Sequence, residues 1–294
     1  MTLALITGAG DLPALLAKRQ AERPFVANLA GHAPTGLDPD LTFRLEELGG
    51  TLAILRESGV TDVCLVGKVS RPQVDMSALD PETRPLMPKL VAAMARGDDA
   101  ALRAIVDIIE GTGLRIVGAH NLAADLLPPP GVLVGTLSEE AQRDAARAAE
   151  IVVAMGQADI GQACIVSGGQ ALAVEALPGT DWMLRSLTVE TSTSAALSDP
   201  FGMAADWLSG GAPKPLRDPT LPVGGLLFKA PKPGQELRVD MPTIGPATIA
   251  GAVQAGLDGV VVEAGGVLVA ERETCLRIAG AAGLFLWVRP REDA

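Results

Sequence analysis

The chain has 294 residues, 48% of them hydrophobic, which is enough apolar material for two domains or one large one and too much for a disordered polymer. Its formal net charge is −11, and it holds no Tyr, five Phe and three Trp. Such a chain is repelled by phosphate backbones at long range and offers no aromatic platform for single strands, so nucleic acid is excluded as a partner, whereas a local cluster of cations can still take a small anion. Cys64, Cys164 and Cys275 stand far apart with no Cys-x-x-Cys spacing, so three reduced, packed thiols are expected and structural zinc is not. Met1-Thr2-Leu3-Ala4 lacks the basic start of a signal peptide, and no run of 18 apolar residues occurs. A cytoplasmic protein is expected.

Leu3 to Ile6 reads as a buried strand, followed by the turn Thr7-Gly8-Ala9-Gly10-Asp11-Leu12-Pro13 and a helix through Gln20, the opening of a doubly wound unit. Gly8 and Gly10 permit close backbone approach, and the helix start suits a phosphate. Pro13 stands where a dinucleotide fingerprint needs a third glycine, and the next strand, Phe25 to Ala30, carries Asn28 and no acid for a ribose. The turn therefore reads as a nucleotide or phosphate contact, or simply a tight turn, and not as an NAD site. A helical segment lies within Leu41–Ser58, and Asp62 to Gly67 is another strand, ending in Lys68 and Arg71 where ligands gather in open α/β sheets. Helices follow over Lys89–Arg96 and Asp98–Glu110, with Asp98 and Asp99 suited to the helix dipole. Arg115 to His120 reads as strand and loop, and His120 is an acid or base by position alone or a structural histidine.

Leu126-Leu127-Pro128-Pro129-Pro130-Gly131 marks the domain boundary, giving a Rossmann-like N-terminal domain over 1–130 and a mixed α/β domain over 131–294. The second domain starts with a helix over Ser138–Gly156 and a hairpin, Ala163–Val166 and Ala171–Glu175, turned by Ser167-Gly168-Gly169-Gln170. A helix over Trp182–Leu187 is capped by Thr180 or Asp181. Thr188 to Val223 reads as loop with a short helix at Ala204–Leu208. Toward the end come a helix over Pro246–Gly256, strands at Gly259–Glu263 and Val267–Ala270, a helix over Glu271–Gly280 and a strand at Leu284–Val288.

The stretch Leu226 to Gly245 concentrates charge. An apolar strand ends at Lys229, a loop stiffened by Pro231 and Pro233 carries Lys232, and a second short run delivers Arg238 and Asp240. This suits a rigid anion seat with one carboxylate beside it, or a solvated Pro-rich turn. Arg238 reads as a structural ion pair.

Several short motifs together carry a resemblance. They are Gly8 to Pro13, Gly67-Lys68-Val69-Ser70-Arg71-Pro72, Gly97-Asp98-Asp99-Ala100, Gly118-Ala119-His120, Asp159-Ile160-Gly161-Gln162, Ala173-Val174-Glu175-Ala176, Gly179-Thr180-Asp181, Lys229 to Gln235, and Arg238 to Gly245. In this order and spacing the chain resembles the metal-dependent UDP-2,3-diacylglucosamine pyrophosphatases of lipid A biosynthesis, of the LpxI type, which lack a calcineurin-like fold. The resemblance implies hydrolysis of UDP-2,3-diacylglucosamine, by water at the α-phosphorus, to 2,3-diacylglucosamine 1-phosphate (lipid X) and UMP. It implies two domains holding the substrate and Mg²⁺ or Mn²⁺ as cofactor. It makes Asp240 the catalytic residue and metal ligand, and places substrate contacts on Gly10, Asp11, Lys68, Gln162, Thr180, Asp181, Lys229 and Lys232. A homodimer is implied, and so is transient contact with the cytoplasmic face of the inner membrane, where the acylated substrate resides. The chain departs from the family pattern at Pro178, Trp182 and Glu236 and through a Pro-rich Thr188–Val223 region.

The residue types fit this chemistry in their own right. Cleaving a diphosphate needs charge neutralisation, positioning and activated water. Lys68, Lys229 and Lys232 can neutralise phosphate oxygens, and Asp240 can hold a hard divalent ion or orient water. Asp181 and Glu175 are further acids for these roles, with helix capping and strand-end solvation as their structural alternatives. A nucleotide-dependent oxidoreductase or transferase, or a non-catalytic nucleotide-sugar or lipid carrier, are the competing functions. A Ser-His-Asp hydrolase is disfavoured, because His32 and His120 are the only histidines and no Gly-x-Ser-x-Gly elbow occurs.

Overall fold

A computed structural model describes residues 2–70, 74–189 and 216–291. The chain groups into two compact units. Met1–Leu127 with Gly234–Met241 forms the first, and Pro128–Pro233 with Pro242–Ala294 the second. The boundary falls in the triple-proline stretch. The segment carrying Asp240 belongs to the first unit, although the chain on either side of it belongs to the second; the sequence placed that motif in the second domain.

The first unit is built on a five-stranded parallel sheet in the order β3-β2-β1-β4-β5. Its strands are β1 (Leu3–Thr7), β2 (Phe25–Leu29), β3 (Leu41–Phe43), β4 (Asp62–Val66) and β5 (Arg115–Ile116). This is the Rossmann-like strand order 3-2-1-4-5, five of the six strands of the full doubly wound arrangement, as the opening turn implied. Alternation sends Ala4 and Ile6 into a core with Ala27, Val63, Leu52, Leu90 and Ile109. That core is closed by α2 (Leu48–Glu57), α3 (Met87–Met94) and α4 (Asp98–Gly111). On the opposite face lie the fully buried Leu5, Cys64 and, from α1 (Leu12–Ala17), Leu16. The three residues of β3 were read only as part of a loop and helix; so short a strand carries too little alternation to show. His120 sits in a short helix, α5 (Ala119–Leu122), where a loop was expected.

The second unit holds a six-stranded mixed sheet in the order β6-β15-β13-β11-β7-β8. Here β6 is Gly131–Val134, β7 Ala163–Ser167, β8 Gln170–Val174, β11 Leu226–Lys229, β13 Gly259–Glu263 and β15 Phe285–Arg289. The three central strands β11, β13 and β15 run parallel, and β6 and the β7–β8 hairpin add antiparallel edges. Both faces are covered, so the central strands read as continuous apolar runs. One face places Cys164, Phe228 and Val261 against α6 (Glu139–Gln157). The other places Ile165, Leu227, Val260 and Leu286 against α7 (Thr180–Arg185), α8 (Pro246–Gln254) and α9 (Arg272–Ala282). The Ser138 hydroxyl accepts from the Ala141 amide at 3.1 Å and caps α6.

Two expectations are corrected. The run delivering Arg238 and Asp240 is not a strand but a series of turns, and the next strand, β12 (Thr243–Ile244), pairs instead with β14 (Leu268–Val269). Neither Thr180 nor Asp181 caps α7; both lie in its first turn after Gly179, which sits at φ 83, and no side-chain cap bond forms. The strands β9 (Thr188–Val189) and β10 (Leu216–Arg217) pair antiparallel. The helix expected at Ala204–Leu208, and Arg71, lie outside the described residues.

Candidate active site

In the first unit, main chain builds the site. The loops that follow β1 and β4 zip together at the carboxyl end of the sheet. Ala9 and Lys68 exchange backbone hydrogen bonds at 2.8 Å in both directions, and the Gly8 amide donates to the Val66 carbonyl at 2.8 Å. Glycine is required twice. A Cβ on Gly8 would strike the Lys68 carbonyl, and Gly67, at φ 106, has its missing Cβ against the Gly8 backbone. Gly10 bridges to Pro34 after β2, and its carbonyl accepts from the Thr35 amide. Space is open around its Cα, so a ligand can approach the backbone there. His32 ties these loops together. Its Nε2 accepts the Ser70 amide at 3.0 Å, which leaves Nδ1 to donate to the Ala30 carbonyl at 3.1 Å. Lys68 is exposed at this edge. Asp11 is also exposed, at the start of α1, and makes no capping bond.

The turn-rich segment holding Asp240 is stitched to α4 and to itself. Arg103 donates to the Gly234 carbonyl. Arg238 donates to Glu110 at 2.7 Å and, through Nε and Nη2, to Glu236 at 3.0 and 2.9 Å. The structural role read for Arg238 is therefore the observed one. The hydrogen bonds from Arg238 hold the Glu236 carboxyl below its ordinary range. Gln235, 9% exposed, donates from Nε2 to both the Asp240 carbonyl at 2.7 Å and its carboxylate at 2.5 Å, which fixes that carboxylate in place. His120 stands near this segment. A Cβ on Gly118 would meet both the His120 ring and the Arg238 backbone. Burial lowers the pKa of His120, and among the described residues its buried Nδ1 has no hydrogen-bond partner.

In the second unit side chains build the site. Lys229 ends β11 at 6% exposure, and its Nζ donates to the Thr180 hydroxyl at 2.9 Å. That hydroxyl donates to Glu175 Oε1 at 2.5 Å, and Glu175 Oε2 accepts the Gln162 amide at 3.0 Å. Gln162, Thr180 and Lys229 are thus linked in one chain of hydrogen bonds, in which Glu175 joins the Gln162 backbone amide to Thr180 and Thr180 joins Glu175 to Lys229. Asp181 is exposed on α7. Lys232 pairs with Asp159 at 2.5 Å, and Asp159 holds the left-handed backbone at φ 52. Lys232 and Pro233 lie against Gly156, where a Cβ would meet both, and Pro231 packs on Gly266. The prolines do fix the loop, by contact as well as by φ.

The partners Gln235, Asp159 and His32 were missed as site-building residues. Gln235 and Asp159 have a weak signal, since each lies in a motif that carries the resemblance; His32 has none, because only the fold brings it to Ser70. The three thiols are buried, and burial pushes Cys64 and Cys164 up to about 12, so they are inert packing groups. Among the described residues no three His, Cys, Asp or Glu side chains cluster as a self-sufficient metal cage. One carboxylate fits a hard ion that keeps waters and substrate phosphate oxygens, and does not fit a zinc site.

Each unit of this two-unit α/β protein carries a lysine at the carboxyl end of a parallel strand, and the first also carries a clamped carboxylate on a turn. The chain belongs to the LpxI family: the LpxI N-terminal domain matches residues 2–126 and the LpxI C-terminal domain residues 129–287. It is 41% identical over 300 residues to the UDP-2,3-diacylglucosamine pyrophosphatase LpxI of Caulobacter vibrioides, across 99% of this chain and 98% of that one.

Proposed function

We propose that this protein hydrolyses the diphosphate of UDP-2,3-diacylglucosamine to UMP and 2,3-diacylglucosamine 1-phosphate, a step of lipid A biosynthesis. The end-to-end match to a relative bearing that name, at 41% identity, carries the reading. Asp240 is the catalytic carboxylate. Held by Gln235, it takes a proton from, or orients, the attacking water without having to be ordered first. Lys68 and Lys229 neutralise diphosphate oxygens, and Lys232 does so while sharing its three N–H donors with Asp159. Gly10 offers backbone to the nucleotide. Asp11, Gln162 and Asp181 complete the polar contacts.

Asp240 would hold Mg²⁺ or Mn²⁺ together with substrate oxygens, and such an ion supplies charge neutralisation and a more acidic bound water. Among the described residues no helix is long and apolar enough to cross a membrane. The acyl chains hold the substrate in a leaflet, so we extend the reading to transient contact with the cytoplasmic membrane face, tested by flotation with vesicles. A homodimer is the proposed assembly, tested by sedimentation velocity. The activity itself is tested by following UMP release from UDP-2,3-diacylglucosamine with Mg²⁺, with Mn²⁺ and with chelator. Release that stops with chelator and returns with either ion is expected. Unchanged release in chelator overturns the metal, and no release under any condition overturns the activity.

A further inference from the structure

Glu175 is a buried acid of the second unit to which the hydrolytic chemistry gives no task. It follows the last residue of β8 and is 7% exposed, while Lys229 is 6% exposed. Neither charge is stable at such depth unless it is compensated and hydrogen-bonded. They do not meet directly. Thr180 stands between them, giving its hydroxyl proton to Glu175 Oε1 at 2.5 Å and accepting from Lys229 Nζ at 2.9 Å. The second carboxylate oxygen takes the Gln162 amide at 3.0 Å. Gly161 permits that approach, because a Cβ there would run into the Glu175 carbonyl. A single carboxylate thus ties together a loop, a helix start and a strand end.

We infer that Glu175 is a positioning residue for Lys229, acting through the Thr180 hydroxyl, and that Thr180 serves as a bridge and not as a donor to substrate. The hydroxyl has one proton, and that proton is committed to the carboxylate. Its lone pair in turn takes one Lys229 N–H at 2.9 Å and so directs the ammonium before substrate arrives. A flexible lysine would otherwise lose rotamer freedom on binding, and that cost would appear in affinity. This role rests on the reading of the chain as a diphosphate hydrolase in which Lys229 meets the diphosphate.

The test is steady-state kinetics of the full-length protein on UDP-2,3-diacylglucosamine, with folding followed by circular dichroism. Glu175→Gln keeps the shape but gives the Gln162 amide or the Thr180 hydroxyl a mismatched partner. Its KM is expected to rise about tenfold with kcat within about threefold, the pattern of lost ground-state and transition-state binding together. Thr180→Val, which keeps Glu175 and removes the bridge, is expected to match it, and Thr180→Ser to restore a wild-type KM. The double variant Glu175→Gln/Thr180→Val is expected to be no worse than either single one, because both cut one chain of bonds. Thr180→Val carries the test if Glu175→Gln does not fold. A wild-type KM in folded Glu175→Gln or Thr180→Val, a loss confined to kcat, or losses that multiply in the double variant would overturn the positioning role while leaving the hydrolase standing. No UMP release from the wild type would overturn the hydrolase, and the role with it.

Discussion

Lys68 and Lys229 occupy equivalent places, each at the carboxyl end of a parallel strand, yet they are held by different means. In the first unit two glycine loops bridge main chain to main chain, and the exposed lysine rides on that bridge. In the second unit a buried carboxylate and a threonine hydroxyl hold a buried lysine from the side. The first arrangement depends on residues that have no side chain, and fails when one is added. The second depends on matched donors and acceptors, and fails when one is removed. The Asp240 segment follows the second rule although it belongs to the first unit, since Gln235, Arg238 and Glu236 hold it by side chains.

The largest expected effect is on Asp240. Asp240→Ala should lower kcat by about 10³-fold or more with the fold intact, as for removal of a group acting in the transition state, measured by UMP release. Gly67→Ala tests the main-chain rule. The strained φ and the contact with Gly8 should cost about 2–4 kcal/mol in urea unfolding, and kcat/KM should fall as Lys68 moves. A stable, active Gly67→Ala would break the comparison. Asp159→Asn keeps a residue that tolerates the left-handed backbone while removing its ion pair with Lys232, and should change KM by about two- to fivefold with little change in stability.

The Glu236–Arg238 pair gives a pH test. The folded-state pKa of Glu236 lies below its ordinary value of 4.5, so its contribution to stability is present above that pH and is lost as pH falls through the folded value. The decline in urea midpoint below pH 4.5 should therefore be shallower in Glu236→Gln than in wild type. The smallest effect is expected at Arg147–Glu150, a pair on α6 with both side chains more than half exposed. Arg147→Ala should stay within about 0.5 kcal/mol of wild type and keep full activity.

Much of the first unit was legible because each strand, turn and helix is local. The strand Leu3–Ile6, the glycine turn and Pro13 in the first helical turn announce one another within a dozen residues. The central strands of the second unit were legible as apolar runs, whereas β6 was hidden, because the same prolines that mark the boundary precede it and β15, the strand it pairs with among the described residues, lies far along the chain at Phe285–Arg289. The candidate site divides in the same way. Lys68, Lys229, Lys232 and Asp240 stand out as charges at the ends of apolar runs. Thr180 and Glu175 are legible as candidate residues, but their link to Lys229 is not, because Glu175 meets Thr180 and Thr180 meets Lys229 only once β8, α7 and β11 are assembled. Turn geometry was the other blind spot: Arg238 and Asp240 were given to a strand, but Gly234 at φ 73 begins a series of turns instead.

The most direct test is product analysis by mass spectrometry after incubating the purified wild-type protein and Asp240→Ala with UDP-2,3-diacylglucosamine and Mg²⁺. Equal amounts of UMP and 2,3-diacylglucosamine 1-phosphate from the wild type, and neither from the folded variant, are the predicted result. Release of UDP, no nucleotide product from the wild type, or wild-type turnover by Asp240→Ala would contradict it.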